Sequence, residues 1–189
     1  MKTKIYIIDN DDSFTYNLVH YVEQFADIVK VARNKEIDIK EISKFDKIII
    51  SPGPGLPKER SILFDILDTY HKTKPILGVC LGMQTICEYF GGKLYNLKHI
   101  LHGVPSNTII SDYDYIYQNI PKSFTSGRYH SWAIENNSLP SSLKITSKDE
   151  NNVIMSIAHN SFDIKGVQYH PESIMTEYGL EIIKNWIQH

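Results

Sequence analysis

The chain has 189 residues, 42% of them hydrophobic and 22% charged, with a formal net charge of −2. That length suits one well-cored domain spanning 1–189. The weak charge, with no block of one sign, argues against nucleic acid or an anionic membrane as the main partner. Two cysteines make no disulfide framework and no Cys/His cluster suggests a metal site. No run approaches the roughly 18 apolar residues of a membrane-spanning helix. The apolar stretch Ile5-Tyr6-Ile7-Ile8 is too short for a secretion signal, so a reducing cytoplasm is the expected location.

Residues 5–8 read as a buried strand ending at Asp9, and Asp11, Asp12 and Ser13 offer N-caps to a helix over about 14–25. A strand at 28–32, a short helix at 36–43 and a strand at 47–51 follow, the last running into Ser51-Pro52-Gly53-Pro54-Gly55-Leu56-Pro57. A helix over about 60–71, a strand at 76–79 and a helix over 83–90 complete this half. Strands alternating with helices at these spacings predict an α/β fold: a mostly parallel, flavodoxin-like sheet with helices on both faces. After Gly91-Gly92 the texture changes to short strands at 93–97, 108–110, 131–134, 143–146, 153–159 and 164–168, with a last helix over about 177–187. These predict the far edge of the sheet plus short antiparallel additions.

The stretch Gly78-Val79-Cys80-Leu81-Gly82 sits at the junction of the fourth strand and its helix. It is the cysteine counterpart of the G-x-S-x-G nucleophile elbow, in which the central side chain is thrust out at the carboxyl end of a strand. Glycines flank it because a Cβ at either place would strike neighbouring backbone. The first turn of the helix, with its unpaired N–H groups, favours a thiolate over a thiol, and a base is still needed to take the proton. A cysteine without such a frame is a small core residue, which is the reading for Cys87.

Two further segments qualify for the same edge of the sheet, where ligands of such folds bind. Pro52-Gly53-Pro54-Gly55 is a stiff loop offering only selected N–H groups, as an oxyanion hole requires, with the N–H of Leu81 as the natural second donor. In Gly166-Val167-Gln168-Tyr169-His170-Pro171-Glu172-Ser173, the proline keeps His170 out of the helical region, so His170 and Glu172 are expected to share a face of an extended segment. The carboxylate could then hold one imidazole nitrogen while the other takes the proton of Cys80. Among the other histidines, His20, His71 and His189 have solvent as their default. His102 and His130 lie in expected loops and could line a site or an interface, and His159 has no evident partner.

Together and in this order, these elements resemble the class I (triad) glutamine amidotransferases, over nearly the whole chain. The opening Ile8-Asp9-Asn10-Asp11-Asp12-Ser13-Phe14-Thr15-Tyr16-Asn17-Leu18-Val19, the segment Arg128-Tyr129-His130-Ser131 and the run from Gly166 to Ile174 narrow the likeness. They look like the glutaminase subunits of the chorismate-using enzymes, anthranilate synthase and aminodeoxychorismate synthase. The resemblance implies a catalytic triad on Cys80, His170 and Glu172, and glutamine-binding positions at Gly53, Pro54, Gly55, Gln84 and the backbone around Ser131 and Trp132. It implies hydrolysis of the L-glutamine side-chain amide through a thioester, with ammonia passed to a larger chorismate-binding synthase subunit. No cofactor is implied for this chain, Mg²⁺ belonging to the partner. A glutaminase serving another acceptor, or a catalytically silent interaction module, are the competing readings. Met83 stands where this subfamily commonly has histidine and is expected to be a packing variant. Val104-Pro105 follows His102-Gly103 where a lysine is common.

Overall fold

A computed structural model describes residues 2–189, the side chains of residues 98–102 excepted. Strands and helices alternate through the first half: β1 (Lys4–Asp9), α1 (Thr15–Glu23), β2 (Ile28–Arg33), α2 (Ile39–Ile42), β3 (Lys47–Ile50), α3 (Ser61–Tyr70), β4 (Ile76–Val79) and α4 (Leu81–Tyr89). Then come β5 (Leu94–Ile110), β6 (Ser123–Ile134), β7 (Leu143–Asp149), β8 (Ile154–His159), β9 (Ile164–Val167) and the closing helix α5 (Gly179–Gln188). The nine strands of the described residues form one sheet in the order β2-β1-β3-β4-β9-β8-β7-β5-β6. The first five run parallel to one another, and the remaining four continue antiparallel. The α/β, mostly parallel expectation therefore describes one half of the sheet, and the antiparallel half is as wide as a small sheet of its own.

The strand period of two divides the core. Ile5 and Ile7 of β1 join Leu18, Val19 and Val22 of α1 and Ile182, Ile183 and Trp186 of α5 on one face. Tyr6 and Ile8 join Ile42, Leu63, Ile66, Leu67, Met83 and Ile86 from α2, α3 and α4 on the other. A strand buried on both faces must be apolar at successive positions, which is why β1, β3 and β4 carry consecutive apolar residues, Ile5-Tyr6-Ile7-Ile8, Ile48-Ile49-Ile50 and Ile76-Leu77. No helix among the described residues is long and apolar enough to cross a membrane.

Several boundaries differ from expectation for local reasons. The helix expected at 36–43 is a single turn at Asn34–Glu36 followed by the short α2, because Asp38 caps the Lys40 N–H and restarts the turn. The helix expected from residue 14 starts at Thr15, and Asp12 Oδ1 accepts from the Phe14 N–H in an Asx turn just before it. The strands expected at 93–97 and 108–110 are parts of one long strand, β5, and the strand expected at 131–134 is the end of the longer β6. The break read as a loop at His102-Gly103 is a register shift between His102 and Val104, with Gly103 at a φ of 67°. Such a bulge has the composition of a turn. The His102 side chain, a candidate from the sequence, lies outside the described residues. Val104 and Pro105 pair with Arg128 and Gly127 of β6.

The packing around α4 is tight enough to be tested. A Cβ on Gly82 would run into the Ile50 carbonyl at the end of β3, and one on Gly78 into the Gly82 backbone. Gly82→Ala is expected to lower stability by about 1–3 kcal/mol, as for other overpacked sites, measurable by urea denaturation.

Candidate active site

The candidate groups come together because β3, β4 and β9 are neighbours in the sheet. The proline–glycine loop leaves the carboxyl end of β3, Cys80 follows β4, and Gln168-Tyr169-His170 follows β9. Cys80 caps α4 at φ 51° and ψ −101°, its N–H donating to Val167 O at 2.8 Å and its carbonyl accepting from the Gln84 N–H at 3.1 Å. A non-glycine residue in such a conformation carries strain of about 1–3 kcal/mol. The surrounding core, in which each fully buried Ile or Leu contributes about 1.5–3 kcal/mol, easily outweighs it. Leu81 opens α4, so its N–H has no carbonyl within the helix to meet.

His170 is 2% exposed and Glu172 3%, and His170 Nδ1 lies 2.8 Å from Glu172 Oε1. They meet through a turn, not through the extended segment expected: the Ser173 N–H donates to the His170 carbonyl at 3.2 Å, with Pro171 and Glu172 at the two central positions. Thr176 locks that turn, its hydroxyl donating to His170 O at 2.6 Å while accepting from the Gly127 N–H of β6 at 3.0 Å. Phe14 and Tyr129 cover the imidazole, with ring centroids 5.6 and 4.8 Å from it. Burial alone would depress the imidazole's pKa; the Glu172 carboxylate and the neighbouring Cys80 overrule it, and the His170 pKa is raised well above the usual histidine value. The other ring nitrogen, Nε2, is buried without a hydrogen-bond partner among the described residues.

Gly53, Pro54, Gly55, Cys80, Gln84, Tyr129, His130, Ser131 and Trp132 line one cavity of about 110 Å³. A larger depression of about 360 Å³, bounded by Asp11, Lys35 and Arg60 among others, includes no candidate residue. Gly53 lies so close to Asn10 and Leu81 that a Cβ there would approach the Asn10 Cβ to 2.6 Å and Leu81 Cδ2 to 2.8 Å. Gly55 takes a φ of 78°, open to glycine. Gln84 is almost fully buried, and its Nε2 donates to Trp132 O at 2.9 Å and to Gln168 Oε1 at 3.1 Å. Its Oε1 is the atom left for a ligand.

Two groups in this arrangement escaped the sequence reading, and a third was expected in a loop. Asn10 ties the end of β1 to the loop after β3: its N–H donates to Ser51 Oγ and its Nδ2 to Ser51 O, each at 3.0 Å. Gln168 donates to Cys80 Sγ at 3.5 Å. The parity of residues 168 and 170 in an extended segment was the available signal for it. The third group is built on His130, which lies in β6 and not in a loop. Its Nε2 accepts from Arg128 Nε at 3.4 Å and its Nδ1 donates to Trp132 O at 2.7 Å. Burial and the adjacent Arg128 push its pKa down to about 4, so it is neutral near pH 7. Arg128 in turn forms a buried ion pair with Asp149 of β7.

The remaining sequence expectations fall away from the site. Met83 is fully buried and packs over Gly166 of β9, where a Cβ would come within 2.8 Å of its Cγ. Cys87 is buried, and desolvation pushes its thiol up to about 12. His71 is half-buried rather than solvated, its Nδ1 donating to Leu67 O at 2.8 Å amid Tyr89, Phe90 and Phe162. His159 does have partners, its Nδ1 accepting from the Ser161 and Phe162 N–H groups at 3.0 Å each. His189 stacks on Tyr115 and His20 faces solvent.

An α/β sheet that presents a strained cysteine at a strand-to-helix elbow, beside a buried His–Glu pair and a glycine-lined cleft, has the layout of an enzyme that attacks carbonyl carbon with a thiol. Comparison with known proteins gives the family. The model of the family described as "Glutamine amidotransferase class-I" matches residues 6–189, and the chain belongs to that family. It is 43% identical over 188 residues to "Anthranilate synthase component 2" of Pyropia yezoensis, covering 98% of this chain and 99% of that one. It is 40% identical over 186 residues to "Aminodeoxychorismate/anthranilate synthase component 2" of Bacillus subtilis (strain 168), covering 97% and 95%. Among solved structures, one described as a putative GMP synthase subunit from Thermoplasma acidophilum superposes with a TM-score of 0.90 at 26% identity, covering 100% of this chain and 94% of that one.

The Arg128–Asp149 pair is buried on both sides. Removing one partner strands the other charge away from water, so Arg128→Met is expected to cost about 3–5 kcal/mol of stability, read by chemical denaturation.

Proposed function

We propose that this chain is the glutaminase subunit of a chorismate-aminating complex, hydrolysing L-glutamine to glutamate and ammonia and handing the ammonia to a larger synthase subunit. The observation that supports it most is the His170–Glu172 pair, buried beside the elbow cysteine, which itself lines one cavity with Gly53, Pro54, Gly55, Gln84, Ser131 and Trp132. The relatives named as component 2 of anthranilate and of aminodeoxychorismate synthase support the acceptor branch, for tryptophan, folate or both.

In this reading the Cys80 thiol yields its proton to His170 Nε2 as the sulfur attacks the side-chain amide carbon. The carbonyl oxygen becomes an oxyanion received by the N–H of Leu81 and that of Gly55 or Gly53. Collapse breaks the C–N bond, His170 returns the proton to the leaving nitrogen, and ammonia departs from a glutamyl thioester. The imidazole then takes a proton from water, whose oxygen adds to the thioester carbon. Expulsion of the sulfur, reprotonated from His170, frees glutamate. Glu172 keeps the imidazole oriented and stabilises its charged form throughout. Gln84 Oε1 and the backbone of Ser131 and Trp132 are the groups placed to hold the substrate. Each step uses protein groups, the substrate and one water, and Mg²⁺ is assigned to the synthase subunit.

Ile174, 99% exposed, and Met175 follow the His170–Ser173 turn directly. An apolar side chain thrust into water beside the site suits a surface that the synthase covers, where docking keeps ammonia from bulk water and its nucleophilic lone pair from a proton.

Glutamate release from L-glutamine with the synthase present is expected to fall at least about 10³-fold in Cys80→Ala, and an undiminished rate would end the enzymatic reading. Glu172→Gln removes the charge that raises the His170 pKa, leaving burial to lower it. The imidazole is then free to take the Cys80 proton down to lower pH, so the acid limb of kcat/KM is expected to move toward acid, with a reduced maximum.

A further inference from the structure

Gln168 is the first residue beyond β9 and has no exposed surface. Its Nε2 faces Cys80 Sγ at 3.5 Å and its Oε1 accepts from Gln84 Nε2 at 3.1 Å. The two ends of a glutamine amide have nearly the same shape, so only the hydrogen-bond network can say which end meets the sulfur.

That network is anchored on a backbone carbonyl, which accepts and never donates. Trp132 O receives Gln84 Nε2 at 2.9 Å and His130 Nδ1 at 2.7 Å. Gln84 must therefore turn its NH₂ toward residue 132, and the second hydrogen of that nitrogen requires an oxygen from Gln168. Gln168 is left with its NH₂ toward the sulfur. Rotating the Gln168 amide by half a turn would oppose two NH₂ groups; rotating Gln84 would oppose two carbonyl oxygens. Either leaves buried polar groups unsatisfied, at about 1–3 kcal/mol each. His130 keeps the same polarity at the far end, because Arg128 Nε donates to its Nε2 and its one proton sits on Nδ1.

We propose that Gln168 is a positioning residue: oriented by Gln84 and the Trp132 carbonyl, it donates a hydrogen bond to the Cys80 sulfur and so favours the ionised, attacking form. A sulfur that accepts from Gln168 has its own proton to give elsewhere, and the buried, otherwise unpartnered Nε2 of His170 is the base at hand. The inference rests on Cys80 being the nucleophile. The alkylation arm of its test needs no glutamine, so it stands or falls separately from the choice of substrate.

The experiment follows the rate of alkylation by iodoacetamide, with mass spectrometry to locate the label; the buried Cys87, its thiol pushed up to about 12, stays unlabelled near neutral pH. In Gln168→Met, of similar bulk but with no donor, the rate at pH 7 is expected to drop about tenfold, the lower end for a hydrogen bond to a charged group. The deficit should narrow as pH rises, since hydroxide ionises the thiol unaided, and kcat with glutamine should fall while KM stays within about twofold. Gln84→Met, which removes the group that orients Gln168, should reduce alkylation in the same pH-dependent way. A native rate at pH 7, or a deficit unchanged across pH as plain distortion would give, overturns the proposal. Should Gln168→Met fail to fold by circular dichroism, Gln84→Met decides by the same criteria. If neither folds, the pair belongs to the stability of the core and the proposal falls.

Discussion

The backbone at Cys80, held at φ 51° and ψ −101°, can exist only where its neighbours leave no alternative, and most of the chemistry described above depends on it. Gly78 and Gly82 let β4, α4 and the end of β3 close to a distance that any Cβ would prevent. The turn is wedged between the two halves of the core, whose many buried aliphatic side chains each contribute about as much as the strain costs. A looser fold would let the residue relax, and the sulfur would turn away from both the helix N-terminus and the imidazole.

Sheet topology then does the assembling. The proline–glycine loop, the cysteine and the histidine are far apart in the chain, but they follow β3, β4 and β9, three adjacent parallel strands, so their carboxyl ends open on one place. The antiparallel half supplies the opposite wall. β6 carries Tyr129, Ser131 and Trp132 into the cleft, and the Arg128–Asp149 pair fastens that strand to β7. A scaffold of this kind holds reacting groups to a narrow range of positions, which a cluster of free loops could not do.

Two histidines show how environment divides the work. His130 and His170 are both buried, and burial pushes each toward neutrality. Beside His130 the nearest charge is the Arg128 guanidinium, which pushes the same way, so the ring serves as a fixed neutral connector. Beside His170 the nearest charge is a carboxylate, which reverses the sign and readies the ring to carry a proton. Exchanging these surroundings would exchange the roles, although the side chains are the same.

The elbow cysteine, the proline–glycine loop, the His–Glu offset and the α/β alternation were legible in the chain, because each depends on short-range chemistry: glycines where a Cβ cannot fit, apolar runs where a strand is buried on both faces, proline where φ must be held. The sequence alone thus determined which segments could form a thiol site and that they would lie at one edge of a parallel sheet. Only the tertiary structure decided the rest. The long strands β5 and β6 were hidden by a bulge that has a turn's composition, and the turn that brings Glu172 onto His170 was hidden by a proline that equally permits an extended path. Asn10 and the Arg128–Asp149 pair carry no local signature at all, and Gln168 only the parity it shares with His170. Their partners lie 21 to 88 residues away, and the direction of a hydrogen bond between them is set only once the chain has closed around both ends.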